Sequence, residues 1–148
     1  MDIFERIKKD HDTLRSLLER AGKGEPDGAY DELQRELWAH GKAEETIFYA
    51  ALEKSRSARE ETVEGLNEHH MINGLLDELN AMTTRDMAFR AKLQVLGELV
   101  RHHLDEEEEE LFEEAREAID AERARELARL FDDRKSHALA ALKPLSQG

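Results

Sequence analysis

Histidines and glutamates recur in this chain at points where a helical pattern would otherwise place apolar residues. His11 falls between Ile7 and Leu14, and His69 between Leu66 and Ile72; His40 and Glu44 fall between Leu37 and Phe48, and His103 and Glu107 between Val100 and Leu111. A His and a Glu four apart lie on one helix face about a turn apart, so both can point at one interior spot. An ionised carboxylate buried without a partner is costly, so a sequence that buries two must supply compensation, and a bound cation is the most economical source. Four imidazoles and two carboxylates exceed the four ligands that close a tetrahedral zinc site. A pair of ions fits better, with carboxylates bridging and imidazoles capping each side. The mixed nitrogen and oxygen set suits iron, manganese or zinc, and availability and redox chemistry put iron first.

The elements that must position these residues read as five helices. The first starts at Asp2, with Glu5 at capping-box spacing, buries Ile3, Ile7, Leu14 and Leu18, and ends at the break Gly22-Lys23-Gly24-Glu25-Pro26. The second runs from about Asp27 or Gly28 with Leu33, Leu37, Ile47, Phe48 and Ala51 inward. Ser57 with Glu60 opens the third, whose inner face carries Val63, Leu66, Ile72, Leu76 and Leu79. Thr83 and Thr84 turn the chain, and Asp86 caps a fourth helix running through Leu93, Leu96, Val100 and Leu111 to about Ile119. Asp120 caps the fifth, with Leu127, Leu130, Phe131 and Leu142, stopped near Pro144.

Short links between helices of similar length make neighbours antiparallel. The expected fold is all-α: an up-down-up-down four-helix bundle over 1–119, with an additional C-terminal helix over 120–143, in one domain spanning 1–148. At a rise of ~1.5 Å per residue, His11 is level with His40 and His69 with Glu44. His103 comes out roughly one turn too deep, which a longer third link would absorb.

Composition narrows the chemistry. Zero cysteines among the 148 residues remove disulfides, thiolate sites, iron–sulfur clusters and thiol nucleophiles together. A net charge of -13 repels phosphate backbones and anionic lipid while favouring the approach of cations, so neither nucleic acid nor membrane is expected as a partner. The opening MDIFERIKKDHD has no apolar signal core, and no stretch approaches the ~20 apolar residues of a membrane span, which makes cytoplasmic the expected location.

His11 in KKDHDTL, His40 and Glu44 in HGKAEETIFYAAL, Glu68-His69 in NEHHMINGLL, and His103 and Glu107 in HLDEEEEELF together resemble the hemerythrin-like (HHE) cation-binding family, over roughly residues 1–115. The second and fourth segments also resemble each other, since Glu-Glu and then Phe48-Tyr49 sit at the same offsets from His40 as Glu107-Glu108 and Leu111-Phe112 do from His103. The resemblance implies a non-haem di-iron centre, oxo- or carboxylate-bridged, that binds or senses oxygen, nitric oxide or peroxide. Oxygen-carrying hemerythrins place two histidines four apart on the third helix, whereas Asn73 follows His69 and Gly74 follows His70 at that spacing. One imidazole fewer leaves an additional open position and favours hydrolytic or peroxide-type chemistry.

Three functions of different kinds follow. The first is a di-iron protein that binds or senses a small diatomic ligand or peroxide. The second is a peroxidase, catalase-like or ferroxidase enzyme at the same site, and the third a metal-free or zinc-stabilised bundle acting through its surface. The expected ligands are His11, His40, Glu44, His69, His103 and Glu107. His69 is preferred to His70 and His103 to His102 by the face each shares with apolar neighbours. Glu45 and Glu108 are expected to be solvated rather than ligating, His137 to lie on the surface, and Trp38, Tyr30 and Tyr49 to be packing aromatics.

Overall fold

The computed structural model describes residues 1–24 and 27–142. Its helices are α1 (Ile3–Gly22), α2 (Ala29–Ala43), α3 (Arg56–Ala81), α4 (Met87–Glu106), α5 (Phe112–Ala118) and α6 (Ala121–Ala141). A π-helical segment, Glu44–Tyr49, continues α2, and a second, Glu107–Leu111, joins α4 to α5 in one rod. No strand occurs among the described residues, and no helix is long and apolar enough to cross a membrane.

Local chemistry sets most of the helix starts. Asp2 and Glu5 form the reciprocal capping box, Asp2 Oδ1 accepting from the Glu5 amide at 2.9 Å and Glu5 Oε1 from the Asp2 amide at 3.1 Å. Asp86 caps α4 and Asp120 caps α6. The cap of α3 is Ser55, which accepts from Ala58, and not Ser57. Gly28 enters α2 with φ 76, a left-handed conformation that a side chain would strain. The expected stop at Pro144, like Glu25 and Pro26 of the first break, lies outside the described residues.

Helix α1 packs on α2 and on the α4 rod, α3 packs on α4 and α2, and α6 lies along α1 and α2. The four-helix bundle with an additional helix is therefore the observed architecture. Two hydrophobic clusters fill it. One holds Leu14, Leu33, Leu76, Leu96 and Val100, and the other Ile7, Phe4, Phe48, Leu111 and Phe131. Between them lies a polar layer made of His11, His40, Glu44, His69, His103 and Glu107, all buried. Phe4, Phe48 and Phe112 close one side of that layer, with ring centroids 5.3–6.0 Å apart in edge contacts.

The inward face of α3 differs from the expected one. Val63 and Leu66 are exposed at 51% and 43%, as is Leu130 of α6 at 39%, while Ala58, Thr62, Gly65 and His69 face the core. Tyr49 is the cause: its ring lies against Gly65, where a Cβ would come within 2.9 Å of Tyr49 Cζ. Close approach of the ring thus selects a glycine, and the larger apolar residues on either side turn outward. The link between α3 and α4 spans 82–86, and His103 reaches the level of the other ligands, its Nε2 3.1 Å from that of His69.

Candidate metal centre

Two π turns aim the carboxylates. In an α-helix, residues five apart are separated by about 140° around the axis, whereas a wider π turn brings them nearly into line. Glu44 and Tyr49 therefore both point inward, and so do Glu107 and Phe112. The two aromatics then lie flat on imidazoles, Tyr49 on His69 with centroids 5.6 Å apart and Phe112 on His11 at 6.2 Å.

Each of the two glutamates spans the layer. Glu44 Oε2 lies 3.2 Å from His40 Nε2 while its Oε1 lies 3.0 Å from His69 Nε2. Glu107 Oε1 lies 3.2 Å from His11 Nε2 while its Oε2 lies 3.5 Å from His103 Nε2. Two donor groups result, one of His11, His40, Glu44 and Glu107, the other of Glu44, His69 and His103, with all donor atoms in each within 4.8 Å of one another. The structure thus brings together all six residues singled out from sequence. His70 and His102 are exposed, and His102 instead pairs with Glu106 at 2.9 Å.

Hydrogen bonding tests whether these residues fit a metal pair. His11 Nε2, His40 Nε2, Glu44 Oε2 and Glu107 Oε1 are buried without a hydrogen-bond partner. Oxygens of Glu61, Glu106 and Glu114 are likewise orphaned, but these four converge on one point, where a single coordinated cation would satisfy them. The outer nitrogens are all satisfied: His11 Nδ1 lies 2.6 Å from Glu108, His40 Nδ1 2.7 Å from Asp10, His69 Nδ1 2.8 Å from Glu45 and His103 Nδ1 2.6 Å from Glu68. A carboxylate there makes Nδ1–H the donor and leaves the Nε2 lone pair facing the centre. Glu45 and Glu108 are therefore not solvated residues, with side chains 28% and 18% exposed.

Electrostatics follow from this crowding. Burial disfavours the His40 imidazolium, but Glu44 and Asp10 outweigh it and push the group up to about 10. His11, His69 and His103 are also raised, since burial is overcome by the carboxylates around each. Burial and the Glu44 charge raise Glu107, whereas Glu44, despite burial, is held well below the usual range by His40 and its other partners. Burial and then the Glu107 and Glu44 charges raise the Tyr49 phenol, which stays protonated and donates to Glu107 Oε2 at 2.7 Å. Tyr49 is thus more than the packing aromatic expected.

Two openings reach the layer. A mostly apolar space of about 20 Å³ lies beside His40, His69 and His103, walled by Leu37, Ile72 and Val100. On another side a groove lined by Glu61, Glu64, Glu68 and Glu106 runs in to His103 and Glu107.

Sequence reasoning missed the supporting roles of Asp10, Glu45, Glu68, Glu108 and Tyr49. A signal for the carboxylates was present, because each is the immediate sequence neighbour of a ligand candidate.

Comparison with known proteins agrees with this geometry. A DNA nickase from Nostoc sp. (strain PCC 7120) is 26% identical over 140 residues, which is 92% of this chain but 40% of that protein. The chain thus spans less than half the length of that relative. No solved structure matches. Residues 2–115 match the hemerythrin HHE cation binding domain, a span holding all six candidate ligands, and the chain belongs to that family.

Proposed function

We propose that this protein binds two iron ions in the polar layer and uses them to bind or sense a small ligand such as oxygen or nitric oxide. The observation that carries the reading is the pair of donor groups that share Glu44, one of His11, His40, Glu44 and Glu107 with four orphaned buried atoms, the other of Glu44, His69 and His103. Glu44 and Glu107 would bridge the ions, with His11 and His40 capping one and His69 and His103 the other. Two bound iron ions supply reversible electron transfer to a small ligand, and manganese or zinc would suit the same donors.

The chain's own residues favour a small apolar ligand. The space beside His40, His69 and His103 holds about one water-sized molecule, and its lining is mostly apolar, with Leu37, Ile72 and Val100 among its walls and Lys42 also lining it. Asn73 lines its edge. Tyr49 fixes the Glu107 oxygen that faces His103, keeping that carboxylate in its spanning pose.

The acidic groove favours a second reading, in which ferrous iron enters past Glu61 and Glu64 and is oxidised. One experiment separates the two. Protein loaded anaerobically with ferrous iron, then given oxygen or nitric oxide, should develop a charge-transfer absorbance saturating at one ligand per two irons. Continued oxidation of excess ferrous iron beyond that point, faster than free iron, would instead favour the ferroxidase. A colourless protein removes both.

The nicking activity named for the Nostoc relative is not part of this proposal. The candidate ligands are no more than 7% exposed, beyond reach of a phosphodiester, and a net charge of -13 opposes the DNA backbone.

A further inference from the structure

The four carboxylates behind the imidazoles are connected to one another through the helices. Asp10 precedes His11 on α1 and holds His40 on α2. Glu45 follows Glu44 and holds His69 on α3. Glu68 precedes His69 on α3 and holds His103 on α4. Glu108 follows Glu107 and holds His11 back on α1. Each carboxylate is thus the backbone neighbour of a ligand candidate on one helix and the hydrogen-bond partner of an imidazole on the next. After four helices the path closes on its starting point.

We infer that this closed ring is the positioning device of the metal centre, each carboxylate aiming one imidazole across a helix interface. Asp10 and Glu108 serve the position flanked by His11 and His40; Glu45 and Glu68 serve the one flanked by His69 and His103. This inference rests on the two-ion reading above.

Geometry supports the assignment in three ways. All four contacts are 2.6–2.8 Å, as short as charge-assisted hydrogen bonds or slightly shorter. Each cross-helix bond is anchored one residue from a ligand, so a shift of one helix moves both a ligand on it and the imidazole it holds. Two ring members are themselves clamped: Asp10 accepts from Arg6 at 2.7 Å and from Lys135 of α6 at 2.8 Å, and Glu108 lies 2.8 Å from Arg15. A carboxylate merely satisfying a stray N–H would not need such fixing.

The test uses Asp10→Asn, Glu108→Gln, Glu45→Gln and Glu68→Gln in the full chain, each titrated with cobalt(II). Removing an outer-shell partner of this kind typically costs about 10–100-fold in metal affinity. Each variant should weaken one of two binding steps by about that factor and leave the other within about threefold. Asp10→Asn and Glu108→Gln should affect the same step, and Glu45→Gln and Glu68→Gln the other. In the cobalt protein, the paramagnetically shifted Nδ1–H resonance should move only for the imidazole whose carboxylate was changed, because a neutral amide oxygen accepts a weaker hydrogen bond, a signature that a purely structural role would not give. Glu45 has the most exposed side chain of the four at 28%, so its variant decides the matter if the more buried ones misfold. Unchanged affinities, or equal weakening of both steps in every variant, would overturn the ring. Fewer than two cobalt ions on the unmodified chain would instead sink the two-ion reading beneath it.

Discussion

His40 sits between the carboxylates of Asp10 and Glu44, and its titration makes a prediction about pH. In the metal-free fold it is raised from 6.5 to about 10, so it contributes stability that is fully present below pH 6.5 and lost as pH rises through about 10. The metal-free protein should therefore become easier to unfold in urea between those limits. Bound ions need the imidazoles deprotonated, so metal affinity should climb over the same window. Urea unfolding in chelator at pH 6.5 and 9.5 checks this, and metal-free stability that is flat or rising would remove the claim. The six candidate ligands were legible because polar residues stood in phase with apolar ones, at His11, His40, Glu44, His69, His103 and Glu107. The ring carboxylates were marked only as immediate neighbours of those ligands, since Glu45 and Glu108 sit off the apolar stripe and their role depends on a cross-helix hydrogen bond that periodicity does not encode.

At the scale of elements, the caps Asp2, Asp86 and Asp120 and the helix order were readable from local chemistry, while the π turns were not. A π turn has no composition of its own. Its trace in the sequence is that Glu44 and Tyr49, five residues apart, both turn out to face inward, as do Glu107 and Phe112. Val63 and Leu66 misled for a related reason, since hydrophobicity did not reveal that Tyr49 needs the space at Gly65. Helix α6, beyond the family match, is tied into the layer through Lys135, which bridges Asp10 at 2.8 Å and Glu36 at 2.7 Å, and through Phe131, whose ring centroid lies 5.6 Å from that of His40. Replacing Lys135 with Met leaves two carboxylates short of a cation in a largely buried setting. The expected loss is about 3 kcal/mol of folding stability, read by urea unfolding. A Lys135→Met protein as stable as the parent would show that α6 does not depend on this bridge.

At the scale of the molecule, two apolar clusters enclose one polar layer, and each carries a different part of the argument. The clusters account for the fold, with fully buried Leu14, Leu33, Leu96, Phe48 and Phe131 packing whether or not a cation is present. The layer is where folding cost is concentrated, because buried carboxylates and unpartnered imidazole nitrogens oppose the folded state until something satisfies them. A bundle selected only for stability would be better served by leucines at these positions. Metal content is the most direct measure of that idea. The chain loaded anaerobically with ferrous iron and desalted should retain two ions, and Glu44→Ala combined with Glu107→Ala should retain none. Fewer than one ion held by the unmodified chain would contradict the account.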